Sequence, residues 1–257
     1  MRSGNPALND STFDSFRGSY ESSNAMTITG TATKTMILLG LCIGTASMTW
    51  GMVYGQNMAA AMPWMIGGMI AGLVFGLATA FKPTWAPITA PLYALAEGLF
   101  LGGLSAMYEA QFHGIVFQAL IATFGTTFSL LVAYQLRIIK ATENFKLGVF
   151  AATGGICLMY LAMMVLSMFG INMSIMRSGW LGIGISVFVV IVAALNLVLD
   201  FDFIEEAAKN GAPKYCEWYG AYGLMVTLVW LYVEILRLLA MLASRRDLRN
   251  VARTQRR

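Results

Sequence analysis

Charge is what this chain has least of. Asp, Glu, Lys and Arg make up 12% of its 257 residues, about half the share found in a soluble domain. Histidine occurs once, as His113 in a short connecting loop, which excludes a helical metalloprotease motif and a histidine-based triad within a helix. The three cysteines, Cys42, Cys157 and Cys216, lie far apart, with no disulfide or metal-ligand spacing among them. They read as small apolar fillers. No serine sits in a Gly-x-Ser-x-Gly turn and no phosphate-cradling loop is found. The expectation is a protein that is not an enzyme and needs no cofactor. So little charge also excludes a disordered chain, a coiled coil and a nucleic-acid-binding domain.

What the chain has in abundance is apolar length. It is 58% hydrophobic, with 26 glycines and 18 methionines, and its mean hydropathy is +0.66. A bilayer core about 30 Å thick needs about 20 apolar residues per helix. Seven runs meet that length: Met36 to Tyr54, Met62 to Phe81, Ile88 to Met107, Ile115 to Leu136, Leu147 to Phe169, Trp180 to Leu199 with a polar extension, and about Ala221 to Met241. Runs this long suit helices rather than the alternating strands of a barrel. The expected fold is an all-α integral membrane protein with seven transmembrane helices and the bilayer as its first partner. Residues 1–35 form a polar N-terminal tail rather than a signal peptide, residues 36–241 the transmembrane domain, and residues 242–257 a basic C-terminal tail suited to lipid headgroups.

Orientation signals conflict. Arg2, Arg17 and Lys34 in the tail and Arg137, Lys140 and Lys146 after the fourth run place the N-terminus in the cytoplasm by the positive-inside rule. Seven crossings then put Arg245, Arg246, Arg249, Arg253, Arg256 and Arg257 outside; seven crossings remain the preferred reading. Trp64, Trp85, Trp180 and Trp218 lie near run ends, as interfacial anchors do. Glycines four apart, at 40 and 44, at 68, 72 and 76, and at 98 and 102, predict close helix packing, within the molecule in preference to a dimer.

An ionisable group at membrane depth costs roughly 2.5 to 3.5 kcal/mol on insertion scales, so Glu97, Asp200, Glu234 and Arg237 each require a reason. Glu234 and Arg237 are three apart and share a helical face, where an ion pair is one reading. The other reading brings Asp200 to Glu234. If the sixth helix runs to Asn210 and the seventh begins near Ala221, the two carboxylates stand about 15 and 20 Å from the turn and meet. Two carboxylates in a low-dielectric site cannot both stay ionised cheaply, so the pair shares a proton and acts as a pH-sensitive latch. Freed oxygens would suit a hard cation such as Ca²⁺, and Glu97 would add another. Asp200, Asp202, Glu205 and Glu206 together admit a membrane-surface Mg²⁺ site of a transferase, but no second acidic cluster accompanies them, and a solvated helix end is favoured for Asp202, Glu205 and Glu206.

These residues resemble the Bax inhibitor-1 family of transmembrane Bax inhibitor motif proteins, in its bacterial branch. The likeness is carried by Leu95-Ala96-Glu97-Gly98-Leu99-Phe100-Leu101-Gly102 in the third run, by Leu197-Val198-Leu199-Asp200 closing the sixth, by Leu231-Tyr232-Val233-Glu234-Ile235-Leu236 in the seventh, and by Asn5-Pro6-Ala7-Leu8 at the start. It spans about Met36 to Met241. Glu234 stands where the family has an aspartate, and Asp200-Phe201-Asp202 where it has Asp-Thr-Gln. The resemblance implies six helices around a central seventh and a pH-sensitive calcium leak governed by Asp200 and Glu234, with Glu97 in the family's glutamate position. It implies residence in a bacterial plasma membrane. An alternative, non-channel role is regulation of a membrane quality-control protease gripped through the polar tail.

Overall fold

The computed structural model of the protein describes residues 25–170 and 180–254, with side chains as far as residue 246. Seven helices are long and apolar enough to cross a membrane. They are α1 (Ile28–Tyr54), α2 (Met58–Phe81), α3 (Ala86–Gln111), α4 (Ile115–Gln135), α5 (Glu143–Met168), α6 (Trp180–Lys209) and α7 (Cys216–Thr254). Among the described residues the only bridge of strand type joins Ala25 to Pro213. Large apolar side chains such as Phe81, Phe150 and Met168 point outward, as they do on surfaces solvated by lipid.

Helix ends depart from the apolar runs for local reasons. The first helix begins eight residues before Met36 because Thr27 caps it, its side chain accepting the Gly30 N–H. Thr142 does the same for α5, accepting from Phe145 N–H, so that helix starts at Glu143 rather than Leu147. Pro87 occupies the first turn of α3, where a missing N–H costs no helical bond. Gly114, at φ 80°, turns the chain into α4, and the Glu109 carboxylate accepts the N–H groups of Gly114 and Val116 there. The last helix begins at Cys216 rather than near Ala221 and continues past Met241 to Thr254. The polar tail's residues 1–24, with Asn5 to Leu8, and the C-terminal Gln255, Arg256 and Arg257 lie outside the described residues, as do the side chains of Arg249 and Arg253.

The two most buried spans are α3 and α7. Gly98 and Gly102 bring α3 against α1: a Cβ at Gly98 would run into the Cys42 carbonyl, and one at Gly102 into the Ala46 carbonyl. Gly68 lets α2 approach the backbone of α3 at Ala96 in the same way. Gly40 and Gly44 pack against nothing within 4 Å, so the α1 glycine pair serves no contact inside the molecule.

Side chains of α7 reach every other helix. Glu217 binds Lys34 of α1, the Tyr222 hydroxyl donates to the Gly76 carbonyl of α2 at 2.9 Å, and Tyr232 shares a 2.7 Å hydrogen bond with Ser105 of α3. Met225, Leu228 and Leu231 share a core with Ala119 of α4. The contacts to α5 and α6 carry the candidate site.

Candidate functional site

The sixth helix is apolar on all sides through most of its length and ends in acids. Asp200, its last carboxylate at depth, lies against Gly223 and faces the Thr227 hydroxyl of α7. Its Oδ2 is buried and has no protein partner. Four residues earlier, Asn196 Nδ2 donates to the Thr153 hydroxyl of α5 at 2.8 Å and to the Val192 carbonyl at 2.9 Å.

Glu234 stands elsewhere on α7. It is 4% exposed, accepts the Tyr160 hydroxyl on Oε1 at 2.6 Å, and has the Arg237 guanidinium 3.4 Å from Oε2. That guanidinium also lies over the Tyr160 ring, 5.5 Å from its centroid. The Glu234 and Arg237 ion pair expected from their spacing is therefore formed.

Asp200 and Glu234 are not brought together. Because α7 starts five residues before the expected Ala221, Glu234 stands about 27 Å from the turn, while Asp200 stands about 13 Å from it. The residue opposite Asp200 is Thr227, and Glu234 follows it seven residues, about 10 Å, farther along the helix. A calcium site built from both carboxylates is not formed in this arrangement. Among the described residues, no three His, Cys, Asp or Glu side chains gather as a metal site would need.

Glu97 occupies a third place. Its Oε2 lies against Gly72 of α2, near enough that a Cβ there would sit 2.9 Å away, and Cys42, Tyr93 and Tyr222 are close enough to feel its charge. It faces the contact of α1, α2 and α3 rather than α6.

The acids past Asp200 are paired with cations. Lys146 lies 2.9 Å from Asp202 and 3.8 Å from Glu206. Glu205 takes Lys209, Arg137 at 3.8 Å and the Tyr134 hydroxyl at 2.6 Å. With Lys and Arg holding these oxygens, they form a cross-linked helix end joining α4, α5 and α6, not a Mg²⁺ cluster.

Several polar residues at depth escape a reading of charge alone. Tyr160, Asn196 and Thr153 look ordinary in the sequence, and only helical phase shows that they share faces. Glu217 is fully buried and accepts from Lys34, from Lys214 at 3.0 Å, and from the Thr27 hydroxyl and N–H at 2.8 and 2.9 Å. With the Met26 N–H donating to the Ala212 carbonyl at 2.7 Å, it clasps the start of α1 to the turn between α6 and α7. Its position ahead of the apolar run gave no sign of burial.

Interfacial aromatics meet cations at helix ends: Arg245 lies 4.1 Å from the Trp180 ring centroid, and Lys82 lies 4.5 Å from that of Trp85. A cavity of about 340 Å³ opens between α1 and α4 over the Ser105 and Tyr232 pair. Its walls carry no carboxylate, so it is no candidate for ion binding.

The family model described as Bax inhibitor 1 like matches residues 5–244, nearly the whole chain. No curated protein and no solved structure matches it.

Proposed function

We propose that this chain, which belongs to the Bax inhibitor 1 like family, is a pH-sensitive, calcium-permeable cation leak channel of a bacterial plasma membrane. The observation that carries the reading is the buried Asp200 oxygen without a protein partner, set in a helix that crosses the membrane. Such an oxygen is satisfied by a proton or by a cation. Exchange between the two couples ion passage to pH. Glu234 acts at its own level of α7, where Arg237 and Tyr160 compete with a passing ion for its oxygens. In this reading the protein is not an enzyme, needs no cofactor, and has calcium as cargo rather than as a resident metal.

The end of the bundle that carries the start of α1 also carries Lys82, Arg137, Lys140, Lys146, Lys209 and Lys214 in its loops and helix ends. This concentration supports a cytoplasmic N-terminus.

The test is Ca²⁺ flux into liposomes holding Asp200→Asn, an uncharged isostere that does not titrate. Its flux should lose the pH dependence of the wild type. An unchanged pH profile would remove Asp200 as the sensor.

A second reading, regulation of a membrane quality-control protease, draws on the clasp at Glu217, which places the polar tail's exit beside the turn between α6 and α7. Deleting residues 1–24 would abolish co-purification of such a partner and leave flux intact.

A further inference from the structure

Three helices repeat one order of side chains. Along α5, Thr153, Ile156 and Tyr160 follow at spacings of three and four and so share a face. Along α7, Thr227, Trp230, Glu234 and Arg237 do the same. The sixth helix runs the opposite way, and its matching stripe reads Asp200, Asn196, Val192, Val189 and Ser186. Each stripe passes from polar to apolar and back to polar.

The contacts agree level by level. At one end Asn196 bonds Thr153 and Asp200 faces Thr227. In the middle Ile156, Val189 and Val192 form a buried cluster of their own, against which Trp230 and Tyr160 pack. Beyond it the Tyr160 hydroxyl reaches Glu234, with Arg237 beside them. The apolar stretch from Asn196 to Val189 spans seven residues, about 10 Å.

Unpaired polar atoms mark the same line. Among the described residues, the buried side-chain polar atoms that make no hydrogen bond are Asp200 Oδ2, Ser186 Oγ, Arg237 Nε and Glu234 Oε2, the last with the Arg237 guanidinium 3.4 Å away. All of them lie on these stripes, and they fall on both sides of the apolar cluster. Buried polar groups without protein partners are the ones that water or ions satisfy. The Asp200 end offers an anionic oxygen to a hydrated cation, the Glu234 end offers polar groups that water satisfies beside the Arg237 guanidinium, and the middle offers neither.

We propose that cations cross the protein between α5, α6 and α7, and that Ile156, Val189 and Val192 form the apolar plug that closes this route by excluding water. The proposal rests on the cation-leak reading and assigns its path and gate. A hydrophobic constriction blocks ions because a narrow apolar passage does not stay wet. Widening or wetting the plug opens the route without any change in the carboxylates.

The experiment uses the full chain in liposomes, with Ca²⁺ flux read at the pH where the wild type leaks least. Val192→Thr and Val189→Thr keep the branched shape and add one hydroxyl. Each should raise flux about ten-fold by wetting the constriction, whereas Val192→Phe should lower it. Leu158→Thr, on a face that is 68% exposed, should match the wild type. Each variant is first required to elute as a single species from detergent, and if one threonine variant aggregates the other decides. A wild-type leak unchanged by a folded threonine variant overturns the plug and leaves the leak standing. No leak from the wild type or from either variant removes the leak reading, and the plug falls with it. A leak seen only in the threonine variants supports the plug.

Discussion

Tyr160 of α5 donates its hydroxyl proton to Glu234 Oε1 at 2.6 Å, across the interface with α7. The acceptor is almost wholly buried, and its other oxygen has only the Arg237 guanidinium at 3.4 Å. The pair fixes the relative height of the two helices at the end of the polar line farther from the turn between α6 and α7. Removing the donor leaves a buried acceptor short of one partner, which costs about 1 to 3 kcal/mol. Tyr160→Phe should therefore lower the melting temperature in detergent, while Tyr108→Phe, whose hydroxyl makes no hydrogen bond among the described residues, should not. Equal melting of both would show that the bond adds nothing to stability.

The close approach of α1 and α3 predicts a sharp contrast between glycines. At Gly102 a side chain meets the Ala46 carbonyl, a backbone atom that cannot rotate away. Gly102→Val should cost about 1 to 3 kcal/mol or more through overpacking. At Gly40, inside the same helix, a Cβ meets nothing within 4 Å, so Gly40→Ala should leave stability unchanged or raise it by up to about 1 kcal/mol. Thermal unfolding in one detergent, followed by tryptophan fluorescence, compares the two directly.

Glu217 is a strut of another kind. Its carboxylate is fully enclosed by Lys34, Lys214 and Thr27. Glu217→Gln takes the anion from two partly exposed ammonium groups and should destabilise by about 1 to 3 kcal/mol. It should also expose the chain around Met26 to proteolysis, since the clasp to Ala212 depends on the same corner. Protection equal to wild type in limited proteolysis would show that the clasp is held by the backbone alone.

The seven spans were legible because apolar length alone identifies them. Their ends were not, because polar capping residues such as Thr27 and Thr142 extend helices past the apolar runs. That shortfall propagated to the site. Residues 216–220 contain Glu217 and Gly220, which read as loop, yet they form the first turn of α7. The extra turn lifts Glu234 away from Asp200. The ion pair of Glu234 with Arg237 was legible, since it follows from helical spacing within one element. Tyr160 was not, because nothing in a sequence sets the height of α5 against α7. The glycine pattern was half informative: positions 98 and 102 pack against backbone, and positions 40 and 44 do not.

The central claim is that this protein passes Ca²⁺ through its membrane domain under the control of protons. The most direct measurement is Ca²⁺ flux into liposomes holding the purified full-length chain, scanned from about pH 5 to pH 8, where buried carboxylates in proteins commonly titrate, with Asp200→Asn alongside. The account predicts flux above that of empty liposomes, a change with pH, and a profile without that change in the variant. Flux equal to that of empty liposomes at every pH would contradict it.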